Sequence, residues 1–218
     1  MAGLVIVGVG PGIGTSVAKR FAREGFTVGL IARREETVAA AAEATGGTTW
    51  TRTADATDEK ALRAALRAFV DAHGTPDVVV YNAAIIRTDE PGELDQATML
   101  DTYAVNVVGA ITTAGELLPE MAASEAPGSA ARRGGPTYVI TSGMVRPDPA
   151  LTSLSLGKVG VRGLVELLNA WRPEVHTASV TVGGPVEPGG RWDPDEIAEH
   201  YWELHTRAVT DQEVRHGC

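Results

Sequence analysis

LVIVGVGPGIGTS, at residues 4–16, is an apolar run that passes directly into a turn rich in glycine. The run predicts a buried strand, and the residues after the glycines predict a helix. Because glycine has no Cβ, Gly8 can end the strand in a sharp turn, Gly12 can let a pyrophosphate approach the backbone, and Gly14 can let the helix pack closely. Helix N-termini attract phosphate through free N–H groups. The stretch therefore predicts a phosphate-binding loop, with an ordinary strand-to-helix turn as the alternative.

The composition limits the classes of protein to consider. The chain has 218 residues, of which 44% are hydrophobic, so we expect one domain over residues 1–218. Its single cysteine, Cys218, excludes an internal disulfide framework and a cysteine-built metal site, and we expect no metal. A formal net charge of −9 argues against nucleic acid or an anionic membrane as partner. No targeting leader or membrane-spanning run is recognisable, so a cytoplasmic protein is expected.

Strand-like and helix-like segments alternate along the rest of the chain. After the first strand, β-branched and apolar runs predict strands at residues 26–32, 48–53, 77–81, 137–141 and 176–182. Helices are expected at 15–24, 35–44, 58–73, 96–123, 151–171 and 193–207, and a mobile polar connector at 127–136. This alternation predicts an α/β fold with a doubly wound parallel sheet, of strand order 3-2-1-4-5-6 by analogy. Residues 210–218 are short and polar, so a seventh strand should be short or absent.

The end of the second strand bears on the choice of cofactor. Dinucleotide-binding folds place an acid about 20 residues beyond the glycine-rich loop, where it binds the ribose 2′-hydroxyl. Here the strand ends in Ala32, followed by Arg33 and Arg34. With no carboxylate to repel a phosphate and two guanidinium groups able to bind one, the position favours a 2′-phosphate and hence NADP(H). The alternative is a pair of solvated charges at a helix start.

The glycine spacing, G-x-x-x-G-x-G, resembles the N-terminal motif of the short-chain dehydrogenase/reductase family. Further features of that family follow in its order along nearly the whole chain: Asp55, Asn82-Ala83-Ala84, Asn106 in V-N-V-V-G, Ser142 and Lys158. The resemblance implies a single-domain Rossmann-type fold. It also implies that Asp55 meets the adenine, that the Asn106 carbonyl holds a water beside the lysine, and that Lys158 binds the nicotinamide ribose.

The resemblance also defines the candidate site residues. Residues 183–186 (GGPV) stand where the family has a Pro-Gly turn beside the nicotinamide. The candidates for cofactor binding all follow predicted strands or lie on the lysine helix: Gly8, Gly10, Gly12, Ile13, Gly14, Arg33, Arg34, Asp55, Ala56, Asn82, Ala83, Lys158, Gly184 and Val186. The candidates for catalysis are Ser142, in the place of the family's catalytic serine, with Lys158, Asn106 and Ser155.

One feature of the family is missing. Its signature Tyr-x-x-x-Lys supplies a general acid four residues before the lysine, where this chain has Leu154, so it resembles a divergent member. The remaining proton donors are Ser142, Ser153, Ser155 or a water ordered by Lys158. Three hypotheses follow. In the first, the chain is an atypical NADPH-dependent oxidoreductase acting on an activated C=O, C=N or C=C bond of a small organic substrate. In the second, it is a non-redox enzyme on the same fold, an isomerase, dehydratase or cyclase. In the third, it is a catalytically inactive NADP(H)-binding protein.

The substrate region and the oligomeric state can also be anticipated. Residues 144–148 and a segment at about 184–207 are expected to line the substrate pocket, with Trp192, Tyr201 and Trp202 as an aromatic wall. The long helices that carry Asn106 and Lys158 are rich in small and apolar residues. In the family this pair of helices forms a four-helix interface with a second copy, which implies a homo-oligomer, a dimer or a tetramer.

Overall fold

Parallel strands form one sheet through the middle of the molecule. The computed structural model describes residues 2–124, 135–207 and 211–217. Within them the strands are β1 (Gly3–Val7), β2 (Thr27–Ala32), β3 (Thr49–Thr53), β4 (Val78–Tyr81), β5 (Thr137–Gly143), β6 (His176–Val182) and β7 (Glu213–His216). Their order across the sheet is β3-β2-β1-β4-β5-β6-β7, and every neighbouring pair is parallel.

Helices cover both faces of this sheet. They are α1 (Ile13–Ala22), α2 (Glu35–Thr45), α3 (Glu59–His73), α4 (Gln96–Tyr103), α5 (Gly109–Ser124), α6 (Thr152–Trp171) and α7 (Pro194–Thr206). The core on one face is shared with α1, α2 and α7, and the core on the other with α3, α5 and α6. Alternate strand residues serve the two cores: Leu4 and Ile6 point to the first, Val5 and Val7 to the second.

The predicted Rossmann-type fold is confirmed. The strand order 3-2-1-4-5-6 continues to a seventh strand that is present but only four residues long. A Rossmann sheet places its ligand sites outside the carboxyl ends of the strands, so the fold brings the loops after β1, β2, β3, β4, β5 and β6 to one edge. No helix in the described ranges has the length and apolar character needed to cross a membrane.

Two details of the helices and strands differ from the prediction. The helix expected at 96–123 is interrupted by a π-helical segment at Ala104–Val108, which contains Asn106. A π turn comes from a shift in backbone hydrogen bonding and not from a change in hydrophobic period, so the pattern of apolar residues does not reveal it. β5 continues to Gly143, which places Ser142 inside the strand. Most of the connector expected at 127–136, residues 127–134, lies outside the described residues.

Candidate functional site

The glycine-rich turn after β1 has the geometry that a phosphate loop needs. Gly8 has φ +88°, and a Cβ there would collide with the backbone of Ala83. At Gly14 a Cβ would lie 3.0 Å from the Cα of Val9, so the glycine permits α1 to pack closely against the turn. α1 begins after Gly12 and has no side-chain cap. The Thr15 N–H donates to the Gly10 carbonyl at 3.1 Å, which leaves the N–H groups of Ile13 and Gly14 without an acceptor in the described residues.

A cleft of about 260 Å³ opens beside this turn, across the ends of β1 to β4. We call it the edge cleft. Eight of the candidate cofactor residues line it: Gly8, Gly10, Arg33, Arg34, Asp55, Ala56, Asn82 and Ala83. The other candidates lie outside its lining, namely Gly12, Ile13, Gly14, Gly184, Val186, Asn106, Ser142, Ser155 and Lys158. Thr37, Ile85 and Val105 also line the edge cleft, and sequence reasoning missed them because no motif marks them.

The two arginines at the end of β2 are exposed at the mouth of the edge cleft. The Arg34 Nε lies 3.4 Å from the Glu36 carboxylate, and both side chains are about 70% exposed. Such an exposed pair contributes little stability, so it does not prevent Arg34 from binding an anion. Arg33 has no ion pair within the described residues. The end of β2 therefore offers two guanidinium groups, and Ala32, the last residue of the strand, has no carboxylate.

Asn82 links the glycine-rich turn to the middle of the sheet. Its Nδ2 donates to the Gly8 carbonyl at 2.8 Å, and its Oδ1 accepts from the Thr141 hydroxyl at 2.8 Å. The Thr141 hydroxyl in turn lies 2.7 Å from the Tyr201 hydroxyl. Asp55 is held locally, since its Oδ1 accepts from the backbone and the hydroxyl of Thr57. These bonds hold the residues at the edge of the cleft in place.

The expected aromatic wall is wrong for two of its three members. Tyr201 is fully buried, and burial raises the pKa of its hydroxyl. Trp202 packs edge-on against Phe21 of α1, with ring centroids 5.2 Å apart. The reason is that α7 lies against α1 on one face of the sheet and does not extend over the site. Trp202 is an outer part of that core.

The third aromatic residue shapes the loop between β6 and α7. The indole of Trp192 covers Gly184, where a Cβ would lie 2.5 Å from the ring, and its Nε1 donates to the Gly217 carbonyl at 3.3 Å. The same loop carries Val186 to the glycine-rich turn, because a Cβ at Gly12 would lie 3.7 Å from Val186 Cγ1. Gly184 and Val186 thus lie beside the start of α1, although they are outside the lining of the edge cleft.

Lys158 and its neighbours lie at the end of β5. Only 6% of Lys158 is exposed, and its Nζ donates to the Thr141 carbonyl at 2.9 Å. Burial lowers the pKa of Lys158 from its ordinary 10.5 to about 8. Leu154, one turn earlier on α6, is also buried. The hydroxyl of Ser142 is buried and has no hydrogen-bond partner in the described part of the chain. A buried unpaired hydroxyl at a sheet edge is suited to binding a ligand.

Two serines of α6 hold the loops around this end of the site. Ser153 donates from its N–H and its hydroxyl to the two carboxylate oxygens of buried Asp89, at 2.9 and 2.8 Å. The Ser155 hydroxyl accepts from the Asp148 N–H at 3.0 Å and lies 3.3 Å from the Asp148 carbonyl. Arg162 reaches the carbonyls of Gly143 and Met144. These contacts join residues far apart in sequence, which is why sequence reasoning missed Asp89 and Arg162.

Asn106 anchors the loop after β4. Its Oδ1 accepts from the Ile85 N–H at 2.8 Å, and its Nδ2 donates to the Ile85 carbonyl at 3.2 Å. α6 packs against Asn106 at Gly157, where a Cβ would lie 2.9 Å from the Asn106 Cβ. The Tyr81 hydroxyl donates to the Val105 carbonyl at 2.5 Å, within the π-helical segment. The side-chain amide of Asn106 therefore positions the edge-cleft residue Ile85. That the main-chain carbonyl of Asn106 holds a water beside the lysine stays a prediction.

Comparisons with known proteins identify relatives of this chain and of its fold. A family model described as short chain dehydrogenase matches residues 3–190. A serine 3-dehydrogenase of Agrobacterium fabrum is 33% identical over 122 residues, which cover 54% of this chain and 48% of that protein. Two solved structures share the fold at 24% identity. The alcohol dehydrogenase from the archaeon Thermococcus sibiricus, complexed with 5-hydroxy-NADP, has a TM-score of 0.83 over 99% of this chain and 95% of its own. A metagenomic short-chain oxidoreductase in complex with NADP has a TM-score of 0.84 over 98% and 96%.

Proposed function

The chain belongs to the short-chain dehydrogenase family, and on that premise we propose that it is an NADPH-dependent oxidoreductase that works without the family's tyrosine. Its substrates are small organic molecules with an activated C=O, C=N or C=C bond. The observation that carries the cofactor choice is the edge cleft, which is lined both by the glycine-rich turn and by the two arginines, with the uncapped start of α1 directly after that turn.

The residues of the edge cleft fit a dinucleotide phosphate. At Gly8 and Gly14 there is no room for a Cβ, so the shape of this turn requires glycine at both positions. At Gly10, by contrast, the space that a Cβ would occupy is open. The N–H groups at the start of α1 bind the pyrophosphate, and Arg33 and Arg34 bind the 2′-phosphate. Asp55 and Ala56 border the adenine. Two structural neighbours, the archaeal alcohol dehydrogenase and the metagenomic oxidoreductase, carry an NADP derivative and NADP.

Leu154 sets the class of substrate. The bound cofactor supplies a hydride, and a ketone that accepts it becomes an alkoxide in need of a proton. A positioned general acid contributes a factor of roughly 10² to 10⁴ to such a step, and leucine supplies none of it. Ser153 and Ser155 are already bound to Asp89 and Asp148. Bonds that need little help from an acid, such as a preformed iminium or a conjugated enone, are therefore favoured over an unactivated ketone.

The substrate lies at the end of β5 in this proposal. The unpaired hydroxyl of Ser142 binds its polar atom, and Lys158 binds the nicotinamide ribose. The loop that carries Gly184 and Val186, held in place by Trp192, closes the nicotinamide end of the site. Of the segment expected at about 184–207, only the part before α7 is proposed to contact substrate, because the inner face of α7 is core.

We also propose that the protein is a homo-oligomer, most simply a dimer. Exposed apolar side chains form a stripe along α4, the π-helical segment and α5, and a second stripe follows α6: Leu100, Val108, Ile111, Leu156, Val159, Leu167 and Trp171. Large exposed apolar patches mark interfaces, and a two-fold axis would pair each stripe with its copy. Light scattering at micromolar concentration should report two or more chains, and the mass of a single chain would contradict the proposal.

Calorimetry and turnover together test the proposed function. NADPH is expected to bind at least tenfold more tightly than NADH, and NADPH should be oxidised in the presence of cyclohexenone or an N-methylpyrrolinium salt. Equal affinities for the two cofactors would contradict the 2′-phosphate site. Tight NADPH binding with no turnover of any probe would favour the second candidate, a binding protein without catalysis, for which the leucine at position 154 is the supporting observation.

A further inference from the structure

We propose that Lys158 is itself the proton donor of the reaction, acting directly on the substrate from the position next to the missing tyrosine. This inference rests on the proposed function, because it assigns a step of that reaction.

The competing donors on α6 are already engaged. The Ser153 hydroxyl gives its proton to Asp89 at 2.8 Å, and Ser153 is only 2% exposed. The Ser155 hydroxyl is held between the N–H and the carbonyl of Asp148. Ser142 keeps a free hydroxyl, but an alcohol with no base beside it is a very weak acid. Its suitable role is to donate a hydrogen bond to the substrate and not to lose its proton.

Lys158 has the properties that the step requires. Its ammonium is buried and makes one hydrogen bond within the described residues, to the Thr141 carbonyl, which leaves one N–H bond for the nicotinamide ribose and one for the substrate. Burial without a nearby carboxylate brings its pKa to about 8, within reach of the operating pH. A lysine beside a carboxylate would instead hold its proton tightly.

No other charged group in the described ranges contributes to the lowered pKa of the Lys158 ammonium. α6 packs against α4, the π-helical segment, β5 and β6, and the other titratable and charged side chains on these elements and on α6 are Asp101, Tyr103, Tyr138, Arg162, Glu166 and His176. Two loop residues bonded to serines of α6, Asp89 and Asp148, complete the set. None of them forms a hydrogen bond or ion pair with the Lys158 Nζ. Tyr138 donates to the Ala110 carbonyl, and Arg162 reaches Gly143 and Met144. The proton affinity of Lys158 is therefore set by burial.

The step balances for an enone. NADPH held in the edge cleft would supply a hydride to the β-carbon, with oxidation of its nicotinamide, and the C=C electrons would move to form the enolate. The enolate oxygen then forms an O–H bond as an N–H bond of Lys158 breaks, which leaves a neutral amine and an enol that tautomerises to the saturated ketone. The amine regains its proton from solvent. An iminium, by contrast, becomes a neutral amine when it accepts hydride and needs no proton.

Two measurements test the inference, one of which does not depend on activity. The chain has only three lysines, Lys19, Lys60 and Lys158, so an NMR titration of the side-chain Cε–Hε signals resolves each of them. We expect one signal to titrate near pH 8 and to be missing from Lys158→Arg. A Lys158 signal that titrates with the other two would overturn the proposal.

The second measurement compares two probes in Lys158→Arg, with Lys60→Arg as the matched surface control. Arginine keeps the positive charge but does not release its proton. Because an enone needs little help from an acid, we expect kcat for cyclohexenone to fall only about tenfold, and the alkaline limb of its pH profile to disappear. For the iminium kcat should fall by about twofold at most. Equal falls for the two probes, or retained cyclohexenone turnover, would overturn this inference alone. A wild-type protein that neither binds nor oxidises NADPH would overturn the proposed function as well.

Discussion

Replacing Lys158 by methionine should make the protein more stable at neutral pH. Methionine has a similar length and no charge, so it fills the same space without the cost of burying an ammonium. A pKa lowered from 10.5 to about 8 corresponds to a cost of about 3 kcal/mol at pH 7, since each pH unit is worth about 1.36 kcal/mol. The variant also loses the hydrogen bond from the charged ammonium to the Thr141 carbonyl, worth about 2 kcal/mol. The net gain in the free energy of unfolding is therefore about 1 kcal/mol.

The pH dependence identifies the cause of that gain. The folded-state pKa of Lys158 lies below its unfolded value, so the unfolded chain binds more protons between about pH 8 and 10.5. Lys158 should therefore make the wild-type protein more stable as the pH rises across this window. The cost of burying its charge should fall to about 1 kcal/mol at pH 10. Denaturant unfolding at one fixed protein concentration, followed by tryptophan fluorescence, measures both values. Lys60→Met, at an exposed position, is the control. A Lys158→Met variant that is less stable than wild type at pH 7, or equally changed at both pH values, would refute the reasoning.

Three further predictions concern the cofactor site and the interface. Arg33→Asp should invert the cofactor preference and cost on the order of 1–3 kcal/mol in NADPH binding by calorimetry, and an unchanged NADPH affinity would argue against the 2′-phosphate site. Gly8→Ala should lower the free energy of unfolding by more than about 2 kcal/mol, because the φ of Gly8 is +88° and a Cβ there would collide with Ala83. Gly10→Ala, with open space at its Cβ, should unfold like wild type and weaken NADPH binding. Equal stability of the two variants would contradict this assignment. Val159→Glu should dissociate the oligomer in light scattering without changing the circular dichroism spectrum, since Val159 is 45% exposed on α6, and an unchanged mass would place the interface elsewhere.

Much of the fold was predictable because it rests on local patterns. The glycine-rich turn, the alternation of strands with helices and the short final strand each follow from neighbouring residues in sequence. The position of Ser142 and Lys158 at one sheet edge follows as well, since β5 delivers the serine and α6 returns over the same edge. The missing tyrosine needed only a count of four residues from Lys158.

The parts that could not be predicted depend on contacts between distant residues. The sequence leaves Ser153 among the candidate proton donors, because Asp89, which accepts a hydrogen bond from the Ser153 hydroxyl, lies 64 residues away. Tyr201 and Trp202 looked like pocket residues because aromatic side chains suit both pockets and cores, and only the packing of α7 on α1 assigns them to the core. The π-helical segment around Asn106 arises from hydrogen-bond register, which leaves no periodic mark in the sequence.

The most direct test of the whole account is ketone reduction by Leu154→Tyr. The wild type and the variant are compared under saturating NADPH, with acetophenone and cyclohexenone as probes and with oxidation of the reduced nicotinamide as the signal. We expect the wild type to reduce cyclohexenone and scarcely to act on acetophenone. The variant should gain at least about tenfold on acetophenone, because a phenol then lies one turn before Lys158. Circular dichroism and NADPH affinity show that the variant is folded and loaded. Rapid reduction of acetophenone by the wild type, with no gain in the variant, would contradict the account.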